Sequence, residues 1–353
     1  MKSLFDKISA HYSRDMPFVA YRKPNDTKVS ALFMEDAELN YISNFEEKGF
    51  VFAPFNSDEK SIVFLKEKAL YMSEEVLLDP RSAKDGFFKV DNASKERHIK
   101  IIEKALEKIS GSALQKVVLS REEVLDISHV GLVAIYKKLL SIYSNAFVYV
   151  WFHPKVGLWL GATPETLLSL EGTLFKTMSL AGTQVCVDTE TVVWESKELE
   201  EQQLVTSFIE NQLEGIAVKL EIDKTETVKA GSLWHLRTQV FGELKKVSNI
   251  EKLIRALHPT PAVCGLPREI AHEFISKNEG YNRRFYTGFL GELNFEGPKL
   301  GAKSSTLFVN LRCMSVQNNK ATVYVGGGIT KDSNASKEWE ETVSKAKTMK
   351  RVL

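Results

Sequence analysis

Residues 325–345 read VGGGITKDSNASKEWEETVSK. A β-branched run that begins at Ala321 ends here in three glycines, crosses a polar loop and enters a helix for which Ser336 is a fitting N-cap. The pattern is strand, bare-backbone turn, helix. Glu338, Glu341 and Lys345 recur at i, i+3 and i+7, so they share one helix face with Thr348 and Val352. Taken singly, three glycines at a strand end make a turn, and Glu, Glu and Lys at this spacing make a solvated helix face. Together they imply more, because glycines let backbone N–H groups close on an anion. Paired carboxylates suit a hard cation such as Mg²⁺, which keeps waters and bridges to a substrate oxygen. The implied substrate is an anion held through a metal.

Composition bounds the rest. The chain has 353 residues, 43% hydrophobic and 26% charged, enough for one large or two ordinary domains. A net charge of +1 carries no polyelectrolyte signature, so neither nucleic acid nor a membrane surface is an expected partner. Apolar runs such as FVYVWF at 147–152 are too short to span a bilayer, and MKSLFDKISAHYSRD lacks the apolar core of a signal peptide. Cys186, Cys264 and Cys313 form no CxxC pair, which fits a reducing cytoplasm and a role as small apolar residues.

Along the chain, residues 1–90 read as a short helix followed by the strands PFVAYRK, KVSALFME, GFVFAPF and SIVFL. An amphipathic helix over 92–110 covers a sheet through Ile102, Ala105, Leu106 and Ile109. In the strand QKVVLSRE, Lys116, Val118 and Ser120 share a face. Lys116 fits either a solvent-facing strand start or a pocket base whose pKa burial and nearby positive charge depress. After a helix over 132–143 come FVYVWFHP and VGLWLGATPETLLSL, in which Glu165 follows Pro164 at a tip, either as a surface turn or as a carboxylate entering a cleft. A hairpin at Glu171 and Gly172 leads into LFKTMSLAGTQ, whose small residues let a flat ligand approach the backbone.

Residues 194–220 read as one helix with the apolar stripe Leu204, Val205, Phe208, Ile209 and Leu213. Glu201 leads that stripe and Glu198 lies one turn earlier. A carboxylate there must be paired or bind a metal, so these two and Glu338 with Glu341 form the halves of a two-helix metal site. His235 sits in the strand-like GSLWHLRT, as a satisfied core histidine or a pocket residue. A strand is expected over 286–294. SSTLFVNLRCMSV follows as one strand with Phe308, Asn310, Arg312 and Met314 on one face, so that Arg312 is either salt-bridged or a fork for a carboxylate. No linker or repeat divides the chain, which points to one α+β domain.

The motifs KVVLSR, GATPE, SLAGT, SKELEEQQLV, LWHL, LHPTPAVCG, FYTGFLGE, LRC and GGGI…EWEETVSK occur in this order. Together they resemble the chorismate-utilising enzymes from about Gln115 to the C-terminus, about two thirds of the chain. The resemblance implies a single domain over 1–353 of two stacked antiparallel sheets with helices packed outside. Residues 1–90 would be its variable N-terminal part and 91–353 its catalytic core. It implies Mg²⁺ as cofactor, held by Glu201 and Glu341 with Glu198 and Glu338 in support, and chorismate as substrate. Lys116 would be the base that activates water and Glu165 the acid. Arg312, Tyr286 and the backbone of Gly326, Gly327 and Gly328 would bind the enolpyruvyl carboxylate, while Lys345, Gly182 and Thr183 would position the ring end. His235 and Ala262 complete the implied pocket.

The amino-transferring branch usually carries Gln where this chain has Lys116, and aminodeoxychorismate synthases carry Lys where it has Ala181. No LLES element of the kind that binds feedback tryptophan is present. The resemblance therefore implies the isochorismate-forming branch, needing no glutaminase subunit and acting as a monomer, with menaquinone or a siderophore as the pathway served. A salicylate synthase is the alternative, and a metal-binding relative without catalysis a more distant one. Ala262 and Val263 in HPTPAV favour the isomerase. Gln202 stands where the family usually has His, and its side chain must replace that His by hydrogen bonding.

Overall fold

A computed structural model describes residues 3–78, 91–185, 192–230, 233–299 and 301–353. The chain opens with helix α1 (Leu4–Ser13) and strands β1 (Phe18–Arg22), β2 (Lys28–Met34), β3 (Gly49–Ala53), β4 (Ile62–Leu65) and β5 (Ala69–Glu75). Next come α2 (Asn92–Gly111), β6 (Lys116–Asp126), α3 (Leu132–Ile142), β7 (Phe147–His153), β8 (Gly157–Thr163), β9 (Thr166–Glu171) and β10 (Leu174–Val185). After α4 (Ser196–Glu214) follow β11 (Ala217–Ile222), β12 (Glu226–Ala230), β13 (Leu233–Leu244), α5 (Ile250–Leu257), β14 (Gly265–Leu266) and α6 (Arg268–Asn278). The chain closes with β15 (Phe289–Glu296), β16 (Lys303–Val309), β17 (Cys313–Gln317), β18 (Lys320–Ile329) and α7 (Ala335–Lys350).

The strands form two antiparallel sheets, one in the order β14-β6-β18-β17-β8-β7-β1-β2-β5 and the other β11-β13-β10-β9-β16-β15-β3-β4, with β12 beside β13. Strand β7 shows why they stack. Its alternate residues Phe147, Tyr149 and Trp151 join an aromatic layer with Phe50, Phe52, Phe64 and Phe308 from the other sheet. Val148, Val150 and Phe152 point the other way, into a core shared with α1, α3 and α7. Both faces are covered, so the run carries no polar alternation. Across the layer Phe147 stacks on Phe308 at 4.1 Å and Phe64 on Trp151 at 5.0 Å. Helices α4 and α5 cover the outer face of the second sheet, and α2 and α6 pack against β6. The architecture is the expected α+β domain of two stacked antiparallel sheets with helices outside.

The chain passes between the sheets at two adjoining corners, β8 to β9 through Pro164 and Glu165, and β16 to β17 through Asn310 and Arg312. Thr163 Oγ1 donates to the Val309 carbonyl at 2.7 Å, and the Val309 amide donates to the Glu165 carbonyl at 3.0 Å, so the corners hold each other. This corrects two readings. VGLWLGATPETLLSL is two strands broken at Pro164, which offers no N–H to a ladder. SSTLFVNLRCMSV is likewise two strands in different sheets, so Phe308, Asn310, Arg312 and Met314 share no face; Arg312 is in a left-handed turn at φ +46°.

Other boundaries move for local reasons. The three glycines close no turn but lie inside β18, where Gly326, Gly327 and Gly328 pair with Ser120, Leu119 and Val118. Asn334, not Ser336, caps α7, its side chain accepting from the Lys337 amide at 3.1 Å. The helix expected to reach residue 220 stops at Glu214, because Gly215 caps it and the β-branched Val218 and Ile222 enter an edge strand. The strand expected from 286 begins at Phe289; Tyr286 stays in the turn before it, where Thr287 has φ +61°. Cys264 and Cys313 are free and buried, while Cys186 lies outside the described residues. Among the described residues no helix is long and apolar enough to cross a membrane.

Candidate active site

Where the sheets part, a solvent-open cleft of about 680 Å³ gathers residues from distant parts of the chain. Glu165, Gly182, Thr183, Glu201, His235, Ala262, Tyr286, Arg312, Gly326, Gly327, Gly328 and Lys345 all line it. Lys116 stands just behind, fully buried, with Nζ 2.9 Å from Glu201 Oε1. That contact is an ion pair without an aligned hydrogen bond. The solvent-facing reading of Lys116 is thereby excluded: Val117 and Leu119 take the side of β6 packed under α2 and α6, so Lys116 must take the other.

The glycines of β18 serve close approach rather than a turn. A Cβ on Gly328 would lie 2.5 Å from Glu201 Oε1 and 3.1 Å from Lys116 Cε, and one on Gly326 would lie 3.0 Å from the Tyr286 hydroxyl. On the opposite face, a Cβ on Gly327 would meet Glu341 Oε1 at 3.5 Å and Glu338 Oε2 at 3.8 Å. Carboxylates from α4 and α7 thus reach one bare stretch of strand, from its two faces. A neighbouring cleft is lined by Thr183, Lys197, Glu198, Glu338 and Glu341.

Glu201, Glu338 and Glu341 each have a lysine beside them. Lys197 Nζ is 2.5 Å from Glu338 Oε1, and Lys345 Nζ is 2.5 Å from Glu341 Oε1 and 3.1 Å from the Gly326 carbonyl. Glu198 is also part of the α4 capping box, where it accepts from the Glu195 amide at 3.0 Å. Burial pushes the Glu201 carboxyl up, but Lys116, Lys345 and Lys197 outweigh it and hold Glu201 below the usual range. Burial, and then Glu341, raise Glu338. Among the described residues no three Asp, Glu, His or Cys side chains stand close enough to cage an ion. The donor set around the glycines is nevertheless all oxygen, and its approach to the bare strand suits a hard cation that keeps most of its waters.

The remaining cleft residues are sharply differentiated. Glu165 is 3% exposed, and burial pushes its carboxyl up to about 8 although Lys116, Lys345 and Arg312 pull the other way. Burial therefore favours its protonated form at neutral pH. Burial, then Arg312 and Lys345, hold His235 well below its ordinary range, so its ring is neutral. Its Nδ1 lies 3.3 Å from Thr183 Oγ1, while Nε2 has no hydrogen-bond partner among the described residues. Arg312 reaches the Lys345 carbonyl at 3.4 Å. Gln202 is fully engaged: Oε1 accepts from the Ala181 amide at 2.9 Å, and Nε2 donates to Ser179 Oγ at 2.7 Å and Thr238 Oγ1 at 2.9 Å. It bolts α4, and with it Glu201, to β10 and β13. The sequence reading passed over Lys197 and the buried pair of Glu279 and Arg283, whose spacing looks like any exposed helix ion pair.

The chain also resembles known proteins in sequence and in fold. Residues 55–353 match the family described as chorismate binding enzyme, a match that begins well before the motifs at Gln115. Isochorismate synthase DhbC of Bacillus subtilis is 31% identical over 204 residues, 55% of this chain and 50% of that protein. Isochorismate synthase MenF of Escherichia coli is 28% identical over 262 residues, 72% of this chain and 59% of that protein. The chain thus spans about half to three fifths of the length of these curated relatives. The fold is shared with a crystal structure from Bacillus anthracis titled as a putative 2,3-dihydroxybenzoate-specific isochorismate synthase, at a TM-score of 0.81 and 24% identity over 99% of both chains. With 299 of its residues inside the family match (353 − 55 + 1), this chain belongs to the chorismate-binding enzymes.

Proposed function

We propose that the chain is an isochorismate synthase, converting chorismate to isochorismate. The observation that carries this is the pairing, in one cleft, of a buried lysine beside a carboxylate with a second carboxyl kept protonated by burial. Glu201 and Glu341, with Glu198 and Glu338 behind them, would hold a Mg²⁺, which when bound polarises the ring carboxylate of chorismate. Lys116, acting as the free amine and not as the ammonium of the resting ion pair, takes the proton from a water whose oxygen bonds to ring carbon 2. The ring double bonds shift, the bond from carbon 4 to its hydroxyl breaks, and Glu165 donates the proton with which that hydroxyl leaves as water. Arg312, Tyr286 and the β18 backbone receive the enolpyruvyl carboxylate, and Lys345, Gly182 and Thr183 fix the other end of the ring. Lys116 in place of Gln supports water rather than ammonia as nucleophile, so the chain acts without a glutaminase subunit. A monomer in the cytoplasm, supplying menaquinone or a catechol siderophore, fits this reading.

The test is to incubate purified protein with chorismate and Mg²⁺, without ammonia, and resolve the products. Isochorismate without pyruvate is expected. Salicylate with equimolar pyruvate would instead make the protein an isomerase and lyase, and unchanged chorismate would overturn the proposal. Glu201→Gln should mainly raise the Mg²⁺ concentration needed for half-maximal rate; an unaltered titration places the metal elsewhere.

The glycines separate by position. Gly328→Ala puts a methyl group 2.5 Å from Glu201 Oε1 and should cut turnover by at least about tenfold. Gly327→Ala meets its carboxylates at ordinary contact distance and should keep most activity. Equal losses in both would mean that strand integrity, not the carboxylate approach, is what the glycines protect.

A further inference from the structure

We infer that Glu279 and Arg283 form a positioning pair that holds the strand carrying Lys116 in register with the opposite wall of the cleft. The inference rests on the proposed chorismate turnover only for its kinetic readout.

Strand β14 covers just Lys116 and Val117 of β6, through Leu266 and Gly265, and the Val118 amide then donates to the Cys264 carbonyl at 2.8 Å. Past that point no strand among the described residues lies beside this edge of β6, although β18 continues along the other edge. The next two groups on the open edge are the Val118 carbonyl and the Ser120 amide, since backbone groups of alternate residues face the same edge. Both are met by side chains. Arg283 Nη2 donates to the Val118 carbonyl at 2.7 Å, and Glu279 Oε1 accepts from the Ser120 amide at 2.7 Å and from Ser120 Oγ at 2.9 Å. The pair stands where a neighbouring strand would.

The same guanidinium reaches two further walls. Its Nη1 donates to the Val263 carbonyl at 2.9 Å and lies 3.2 Å from Thr287 Oγ1, and Glu279 holds it in bidentate fashion at 2.5 and 2.8 Å. Val118, Val263 and Thr287 all line the cleft, so one side chain ties together three segments far apart in sequence. Both partners are almost wholly buried, at 2% and 1% side-chain exposure. An ion pair so buried adds little net stability over apolar side chains of the same volume, and what it supplies is a fixed geometry. Lys116 begins two residues before Val118, so slack in this edge moves its amine relative to Glu201 and the cleft.

The test compares Arg283→Met and Arg283→Lys with Asn294→Ala, which breaks a buried hydrogen bond to the Phe45 carbonyl and a part-buried one to the Glu47 carbonyl, away from the cleft. In Arg283→Met, kcat for chorismate should fall about ten- to a hundredfold with KM changed no more than about threefold, and Arg283→Lys should recover part of it. Asn294→Ala should lower the unfolding midpoint while keeping kcat. Hydrogen exchange supplies a readout independent of activity: amides over 117–121 and 286–288 should exchange faster in Arg283→Met and those of β7 and β1 should not. If Arg283→Met does not fold, Arg283→Lys, which cannot reach all three segments, carries the same comparison. A uniform rise in exchange, or a kcat unchanged in Arg283→Met, overturns the inference. A wild-type protein that leaves chorismate unchanged overturns the proposed function, and the exchange pattern then decides the positioning role alone.

Discussion

Lys116→Met is expected to leave a folded protein whose turnover of chorismate falls by roughly a hundred- to ten-thousandfold, the usual consequence of deleting a general base. The side chain is fully buried beside β18, and methionine keeps most of the volume of its stem. The fold therefore loses an ion pair but gains no cavity. Glu201 keeps the nearby Lys345 and Lys197 as counter-charges, so the carboxylate is not stranded. Chorismate should still bind, because Arg312, Tyr286 and the β18 backbone are untouched, and the loss should fall on kcat rather than KM. Steady-state kinetics in saturating Mg²⁺ measure both. A kcat within threefold of wild type removes Lys116 from the base role; an equal loss through KM would make it a binding group.

Much of the architecture was legible because strands buried on both faces leave a plain apolar signature. FVYVWF, GFVFAPF and SIVFL each read as strands, and each is one. The helix face carrying Glu338, Glu341 and Lys345 was legible for the same reason, since 3.6-residue periodicity fixes which side chains share a side. The corners between sheets were not. At Arg312 the sequence continues an apolar alternation straight through the break, and at Glu165 the preceding Pro164 marks a break without saying where the chain goes next; both corners depend on which sheet each half pairs with, which is a long-range fact. Those corners are where two of the proposed functional side chains sit. The glycines of β18 were misread in the same way: from the chain alone three glycines end a strand, whereas here the absent Cβ atoms make room for Glu201 and Tyr286 contributed by distant segments. Glu279 and Arg283 carry the spacing of a solvated ion pair, and only the edge of β6 that no strand among the described residues covers gives them their place.

Glu165→Gln is expected to lower turnover by a factor comparable to that of Lys116→Met, and its pH dependence gives it a sharper signature. The wild-type carboxyl titrates near 8 because burial disfavours its charged form. As the acid that must donate to the leaving hydroxyl, it is competent below that value and spent above it, so the wild-type rate should fall on the alkaline side with a midpoint near 8. In Glu165→Gln the residual rate should show no such limb, since an amide has no proton to lose in this range. Stability supplies the cross-check. The folded state holds this proton up to about pH 8, whereas an unfolded glutamate releases it near its ordinary 4.5. Folding therefore binds a proton in that window, and the contribution of this group to stability is greatest below pH 4.5 and declines as the pH rises toward 8. Urea midpoints measured at about pH 5 and pH 8 should drop less for Glu165→Gln than for wild type. If the midpoints of the two proteins run parallel, the carboxyl is already ionised at neutral pH, and the proton for the leaving hydroxyl must come from another group.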